Sequence, residues 1–186
     1  ASLINSIDKY ANTVSIYGAF LKSLKKRAEK NFKLELLPII EGNKKGKVYN
    51  EDVNSLIKKV KGDILYLDPP YNSKQYSTNY HLLETISRYD NPVIKGKTGL
   101  RVCNKQKSKF CSKPQVKQVF EELISNANFK YIFLSYNDEG LMKLEDIKRI
   151  LEKYGEYRYF ATNYKMFKSD KDKNRNYKKS STIEYL

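Results

Sequence analysis

Asp63-Ile64-Leu65-Tyr66-Leu67-Asp68-Pro69-Pro70-Tyr71 joins an unbroken apolar run to two consecutive prolines. A short apolar run bounded by turn residues suits a parallel strand covered on both faces, because neither side needs polar residues for solvent. Proline lacks the N–H that a ladder uses, so the strand must end at Leu67. Ligands of parallel α/β sheets sit in the crevice beyond the carboxyl ends of the strands. Asp68, Pro69, Pro70 and Tyr71 fall at that place.

Working outward, a second buried strand is expected at Tyr131-Ile132-Phe133-Leu134-Ser135, after a helix over residues 115–126 that carries Val116, Val119, Phe120, Leu123 and Ile124 inward. A further helix over residues 141–153 buries Leu144, Ile147, Ile150 and Leu151. The alternation argues a parallel sheet with helices on both faces. Before it, residues 52–60 read as a short helix closed by Gly62, and Val48-Tyr49-Asn50 as a short strand. The N-terminal residues 2–30 read as helix, with Leu3, Ile7, Tyr10, Val14, Tyr17, Leu21 and Leu24 on one face; Thr13, Val14 and Gly18 weaken the middle, so it reads equally as one helix or as two with a bend. Residues 156–163 and 180–186, joined by a polar loop, form an antiparallel hairpin at the sheet edge. The whole is expected to be one α/β domain, since 186 residues fit a single core of roughly 100–200.

Lys and Arg number 36 against 21 acids, a net charge of +15 that suggests a polyanionic partner. An AT-rich genome would explain abundant lysine but not its surplus over acids. No apolar run approaches the roughly 20 residues of a bilayer span, and the start of the chain lacks a signal-peptide layout, so the cytoplasm is the expected setting. Cys103 and Cys111 are too few for a disulfide framework, and with His81 they lack the spacing of a zinc site, so no metal is expected.

The chemistry at the strand end suits a planar ring bearing an amino group. Asp68 can accept one amino hydrogen, and the Pro69-Pro70 stretch offers carbonyl acceptors with no competing N–H. Tyr71 offers a face for stacking, and Asn72 adds a donor and an acceptor. Two acceptors on the amino hydrogens leave the nitrogen lone pair aimed at an electrophile. Residues 95–113, the heart of a basic loop over 91–114, contain Lys97, Arg101, Lys105, Lys107 and Lys109 and no acid, which suits a loop gripping phosphates. Arg101 is the residue best suited to bidentate contact with guanine or phosphate. Residues 168–179 form a second basic candidate, and the helical segment over residues 1–35, with Lys22, Lys25, Lys26 and Arg27, is a third.

Asp68-Pro69-Pro70-Tyr71 resembles the catalytic motif of adenine-N6 DNA methyltransferases. Asn72-Ser73-Lys74-Gln75-Tyr76, Tyr80-His81-Leu82-Leu83-Glu84-Thr85, Lys97-Thr98-Gly99-Leu100-Arg101 and Ser135-Tyr136-Asn137 resemble the Dam/FokI-type branch found in restriction–modification systems. The resemblance implies a Rossmann-like sheet, double-stranded DNA as partner and S-adenosyl-L-methionine as methyl donor. It implies that Asp68 and Tyr71 bind a flipped adenine, with the Pro69 or Pro70 carbonyl completing the amino contacts. Asp52 resembles the acidic position that contacts the cofactor's adenine ring; it reads equally as a helix N-cap. Tyr164-Lys165-Met166-Phe167 resembles a late motif whose aromatic packs on the target base, with hairpin packing as the alternative for Tyr164.

One departure stands out. The family builds its cofactor site on a Phe-x-Gly-x-Gly turn, and none of the eight glycines, at 18, 42, 46, 62, 96, 99, 140 and 155, forms it. The expectation is therefore the C-terminal part of a longer enzyme, inactive alone and completed by a separate N-terminal segment or subunit. The rival is a methyltransferase-derived DNA-binding module without catalysis. An RNA or protein methyltransferase is supported by the tetrapeptide only, and a nuclease fails for want of paired carboxylates followed by lysine.

Overall fold

The computed structural model of the chain describes residues 2–12, 22–43, 45–165 and 181–186. In chain order these give α1 (Ser2–Tyr10), α2 (Val53–Leu56), β1 (Lys61–Leu67), α3 (Tyr76–Asn79), α4 (His81–Arg88), β2 (Ile94–Lys95) and β3 (Leu100–Arg101). Then follow α5 (Val116–Ser125), β4 (Asn128–Leu134), β5 (Tyr136–Asn137), α6 (Leu144–Leu151), β6 (Ala161–Lys165) and β7 (Ser181–Tyr185). The contacts gather into two compact units, Ala1–Gly46 with Gln75–Lys107, and Lys47–Lys74 with Ser108–Leu186.

The second unit holds the mixed α/β core. β1 and β4 pair in parallel, Ile64 opposite Tyr131, Leu65 opposite Ile132 and Leu67 opposite Leu134. On one face Leu67 and Leu134 are buried, with Leu65 and Ile132 half-buried, against Val116, Val119, Phe120 and Leu123 of α5 and Ile147 and Ile150 of α6. These helices follow the predicted apolar spacing, and the two apolar runs pair as strands. The other face differs from the expectation of a strand covered on both sides. Ile64, Tyr66, Tyr131 and Phe133 stand 63, 61, 54 and 41 % exposed. The reason is topological: this parallel sheet has two strands among the described residues, and the described helices of its unit pack on the opposite face. β7 pairs antiparallel with both β6 and β5, so the two terminal strands pair as expected, the first starting later, but in a three-stranded sheet with β5 and not at the edge of the β1–β4 sheet. Its loop, with Met166, Phe167 and residues 168–179, lies outside the described residues.

Three local expectations are corrected. Gly62 does not close a helix: α2 ends at Leu56, and Gly62 lies in β1 opposite Phe129, where a Cβ would come within 3.1 Å of that ring. Val48, Tyr49 and Asn50 form no strand and are exposed, for no neighbouring strand receives them. Of the helix expected over residues 2–30, whether in one piece or two, α1 ends at Tyr10, and beyond it Asn12 turns its side chain to backbone groups outside a helix. Its amide donates to the Ser23 carbonyl at 3.2 Å and its oxygen accepts from the Lys25 N–H at 3.0 Å. Among the described residues that follow, 26–29 make a 3-10 turn; Val14, Tyr17, Gly18 and Leu21 lie outside the described residues.

In the first unit Ile7 of α1 packs against Leu83 of α4, with Leu3 and Ala11 alongside. Among the described residues no helix is long and apolar enough to cross a membrane. Phe120, fully buried, carries the second unit's core. Phe120→Ala should cost about 3–5 kcal/mol in urea unfolding. Tyr66→Ser on the open face should change stability by no more than about 0.5 kcal/mol.

Candidate functional site

β1 and β4 end level with each other, and the ladder continues one step further: the Ser135 N–H donates to the Leu67 carbonyl at 2.9 Å. The chain beyond Leu67 therefore starts beside Ser135. There Pro69 and Pro70 stop further pairing, and the loop turns so that the Tyr71 carbonyl accepts from the Leu141 N–H at 2.8 Å. The Tyr71 hydroxyl donates to Asp68 Oδ1 at 2.7 Å and lies 3.1 Å from Ser135 Oγ. Asp68 itself is exposed, whereas Pro69, Pro70 and Tyr71 are half-buried. A carboxylate facing solvent is thus fixed by a phenol at the carboxyl end of two parallel strands.

Tyr136 backs this group. Its buried ring meets Tyr71 edge to face at 5.1 Å between centroids, and its hydroxyl accepts from the Met142 N–H at 3.2 Å. A Cβ on Gly140 would overlap the Tyr136 ring, so only glycine lets the 137–142 turn close over it. Burial pushes the Tyr71 phenol up to about 12, with Asp68 adding to the rise and the Ser135 bond opposing it. Tyr71 consequently remains a donor to Asp68 throughout the neutral range.

Asn72 Oδ1 accepts from the Lys74 N–H at 2.9 Å, which folds the next turn. Cys111 is buried and donates its thiol to the Lys74 carbonyl at 3.5 Å; burial pushes that thiol up. Ser135, Tyr136, Gly140 and Cys111 are the supporting residues that sequence reasoning did not assign. For Ser135 a signal existed, a hydroxyl directly after an apolar strand. Cys111 offered none, since its partner is a main-chain carbonyl.

Asp52 caps α2, its Oδ1 accepting from the N–H groups of Asn54 at 3.0 Å and Ser55 at 3.3 Å. It borders a polar recess of about 150 Å³ that Lys109 also lines. Lys109 thus falls within the second unit, whereas Lys97, Lys105 and Lys107 are exposed in the first. The basic stretch expected to lack regular structure folds partly as the β2–β3 hairpin and partly as 3-10 turns at Asn104–Gln106 and Lys109–Cys111. Arg101 is buried rather than offered to solvent. Tyr164 lies exposed on β6 opposite Thr182. An apolar cavity of about 610 Å³, between β4 and the segment around Tyr157 and Phe160, involves none of residues 68–71. Among the described residues no group of three or more His, Cys, Asp or Glu side chains is arranged to hold a metal ion.

Comparison with known families places the chain. Residues 1–150 match the D12 class N6 adenine-specific DNA methyltransferase family. The chain belongs to this D12 class. Across all 186 residues it is 54 % identical to the Type II methyltransferase M.NlaIII of Neisseria lactamica, of which it spans 55 %. Over 172 residues it is 49 % identical to the Type II methyltransferase M.FokI of Planomicrobium okeanokoites, covering 91 % of this chain and 27 % of that protein. It is 36 % identical over 169 residues to the Type II methyltransferase M.CviAII of Paramecium bursaria Chlorella virus 1, covering 91 % of this chain and 50 % of that one. This D12-class chain therefore spans about half, or less, of each of these relatives. No solved structure matches it.

The Tyr71 hydroxyl sets a pH signature. A phenol held at about 12 when folded, against about 10 when unfolded, stabilises the fold fully below pH 10. That contribution is lost as pH rises from about 10 through 12. Thermal melts from pH 9 to 12 should show Tyr71→Phe losing stability less steeply with pH than the unaltered chain.

Proposed function

We propose that the chain forms the target-base and DNA-holding part of a site-specific adenine-N6 DNA methyltransferase, one that uses S-adenosyl-L-methionine and acts in the cytoplasm. The observation that carries this reading is the Asp68–Tyr71–Ser135 cluster at the ends of β1 and β4 in a D12-class chain. Tyr71 occupies Asp68 Oδ1, which leaves Oδ2 to accept one hydrogen of the adenine amino group. The carbonyl of Pro69 or Pro70 accepts the other, and with both hydrogens held the nitrogen lone pair turns out of conjugation with the ring. The exposed edge of this loop receives a base swung out of the duplex, stacking on aromatic surface at Tyr71 with Asn72 beside it. Tyr164 on β6 is a further aromatic for the same base.

When bound, S-adenosyl-L-methionine supplies an electrophilic methyl group on sulfonium sulfur. This chain fits part of the site such a cofactor needs. Asp68 stands at the strand end, and Asp52 borders the polar recess with one carboxylate oxygen already engaged by α2. The glycine turn that would cradle the cofactor is not among the chain's glycines. We therefore propose that a segment or subunit outside these 186 residues supplies it, and that β1 and β4 are the middle of a larger Rossmann-like sheet. The relatives' greater length and the bare apolar face of β1 and β4 support this. The missing turn also favours a second reading, a DNA-binding module without catalysis.

Methyl transfer from tritiated S-adenosyl-L-methionine to adenine-containing duplex separates the two. The chain alone should give no product, and joined to the N-terminal portion of a relative such as M.NlaIII it should give methylated adenine. No product from the joined protein would leave the binding module. In the active form Asp68→Asn should lower kcat by about 10²–10³, because the acceptor on the amino hydrogen is lost at the moment the nitrogen attacks.

A further inference from the structure

Seven basic residues lie between positions 95 and 113, and Arg101 is the buried one. It is 8 % exposed, and its guanidinium closes on Asp90 as a fork: Nη2 to Oδ2 at 2.6 Å and Nη1 to Oδ1 at 3.1 Å. Nη1 also donates to the Thr85 hydroxyl at 3.3 Å, which in turn donates to the His81 carbonyl at 2.8 Å. The clasp thus ties β3 to the body of α4. Each partner favours the other's charge: Arg101 holds the Asp90 carboxyl below the usual range, chiefly through the hydrogen bond. Two neighbouring observations mark this as a built device. Tyr89 and Asn91, on either side of Asp90, both have left-handed backbone at φ 50° and 42°. Asn adopts this conformation readily, but a bulky residue such as Tyr89, which ends α4, holds it only where its surroundings support it. The hairpin that the clasp serves is two residue pairs long, Ile94 opposite Arg101 and Lys95 opposite Leu100. That is too short to hold itself in water.

Beyond those pairs the tip is Gly96-Lys97-Thr98-Gly99, with both glycines at positive φ and the Gly99 N–H closing on the Gly96 carbonyl at 3.3 Å. We propose that Arg101 is a positioning residue. Clasped to Asp90 and Thr85, it fixes the β2–β3 hairpin so that the Lys97–Thr98 tip, and not Arg101 itself, meets the DNA. This inference rests on the DNA-methyltransferase reading above and changes the role that Arg101's chemistry first suggested.

The test is duplex binding by the intact 186-residue chain, read by fluorescence anisotropy from low to physiological salt, with amide hydrogen exchange on the same variants. Asp90→Asn removes a negative charge, so simple electrostatics would tighten binding to a polyanion. The clasp requires the reverse: about tenfold weaker binding, since charge-assisted bonds that position the tip are lost. Lys97→Ala should flatten the slope of log affinity against log salt by about 0.9, one phosphate contact. Adding Asp90→Asn to it should cost little more. Exchange at Leu100 and Arg101 should quicken in Asp90→Asn. Arg101→Lys keeps the charge, loses the fork and should match Asp90→Asn, and it serves in its place should Asp90→Asn not fold. Unchanged or tighter binding by Asp90→Asn, unchanged exchange, or an Arg101→Lys defect not shared by Asp90→Asn would each overturn the inference. Absence of salt-dependent binding by the unaltered chain would instead overturn the DNA reading, while the exchange comparison would still report on the clasp.

Discussion

Leu67 and Leu134 finish opposite each other in parallel, and the amide of the next residue on one strand bonds the last carbonyl of the other. Everything at the candidate site depends on this shared ending. It places Asp68 and Ser135 at one level, near enough for a single phenol to touch both. The level ending needs the apolar face of both strands to bed on α5 and α6, which burial of Phe120, Leu123 and Ile150 achieves. The prolines matter for what they withhold. Without N–H groups they can extend no ladder, so the loop leaves the sheet.

Two kinds of support hold that loop, and both are indirect. Tyr71 is wedged against Tyr136, whose own position requires the bare backbone of Gly140. Further along, a buried thiol on Cys111 meets the Lys74 carbonyl. The carboxylate itself remains exposed to solvent. A rigid frame around an open acceptor is what a base-binding site requires, because the acceptor must already be aimed when the base arrives.

Much of this was legible in the residues. The apolar runs at Ile64–Leu67 and Tyr131–Leu134 and the spacing within α5 and α6 announced strands and helices, because burial selects those patterns directly. The apolar run and the prolines also foretold that Asp68 and Tyr71 stand just beyond the strand end, where the structure places them in contact. What stayed hidden depends on partners distant in sequence. Arg101 has the chemistry of a DNA contact, and only the fold shows that Asp90 has taken it. Ser135 and Cys111 gain their roles from residues 64 and 37 positions away. The N-terminal pattern misled for a local reason, since apolar spacing cannot register that Asn12 prefers the backbone of Ser23 and Lys25.

The uncovered face of β1 and β4 has a colloidal consequence. Ile64, Tyr66, Tyr131 and Phe133 form an apolar patch on strands whose kind is ordinarily enclosed. A net charge of +15 keeps copies of the chain apart at low ionic strength, where the Debye length is roughly 30 Å at 0.01 M. Salt shortens that range to about 8 Å at physiological strength. Added salt therefore removes the repulsion that keeps the exposed sheet face of one copy from meeting another.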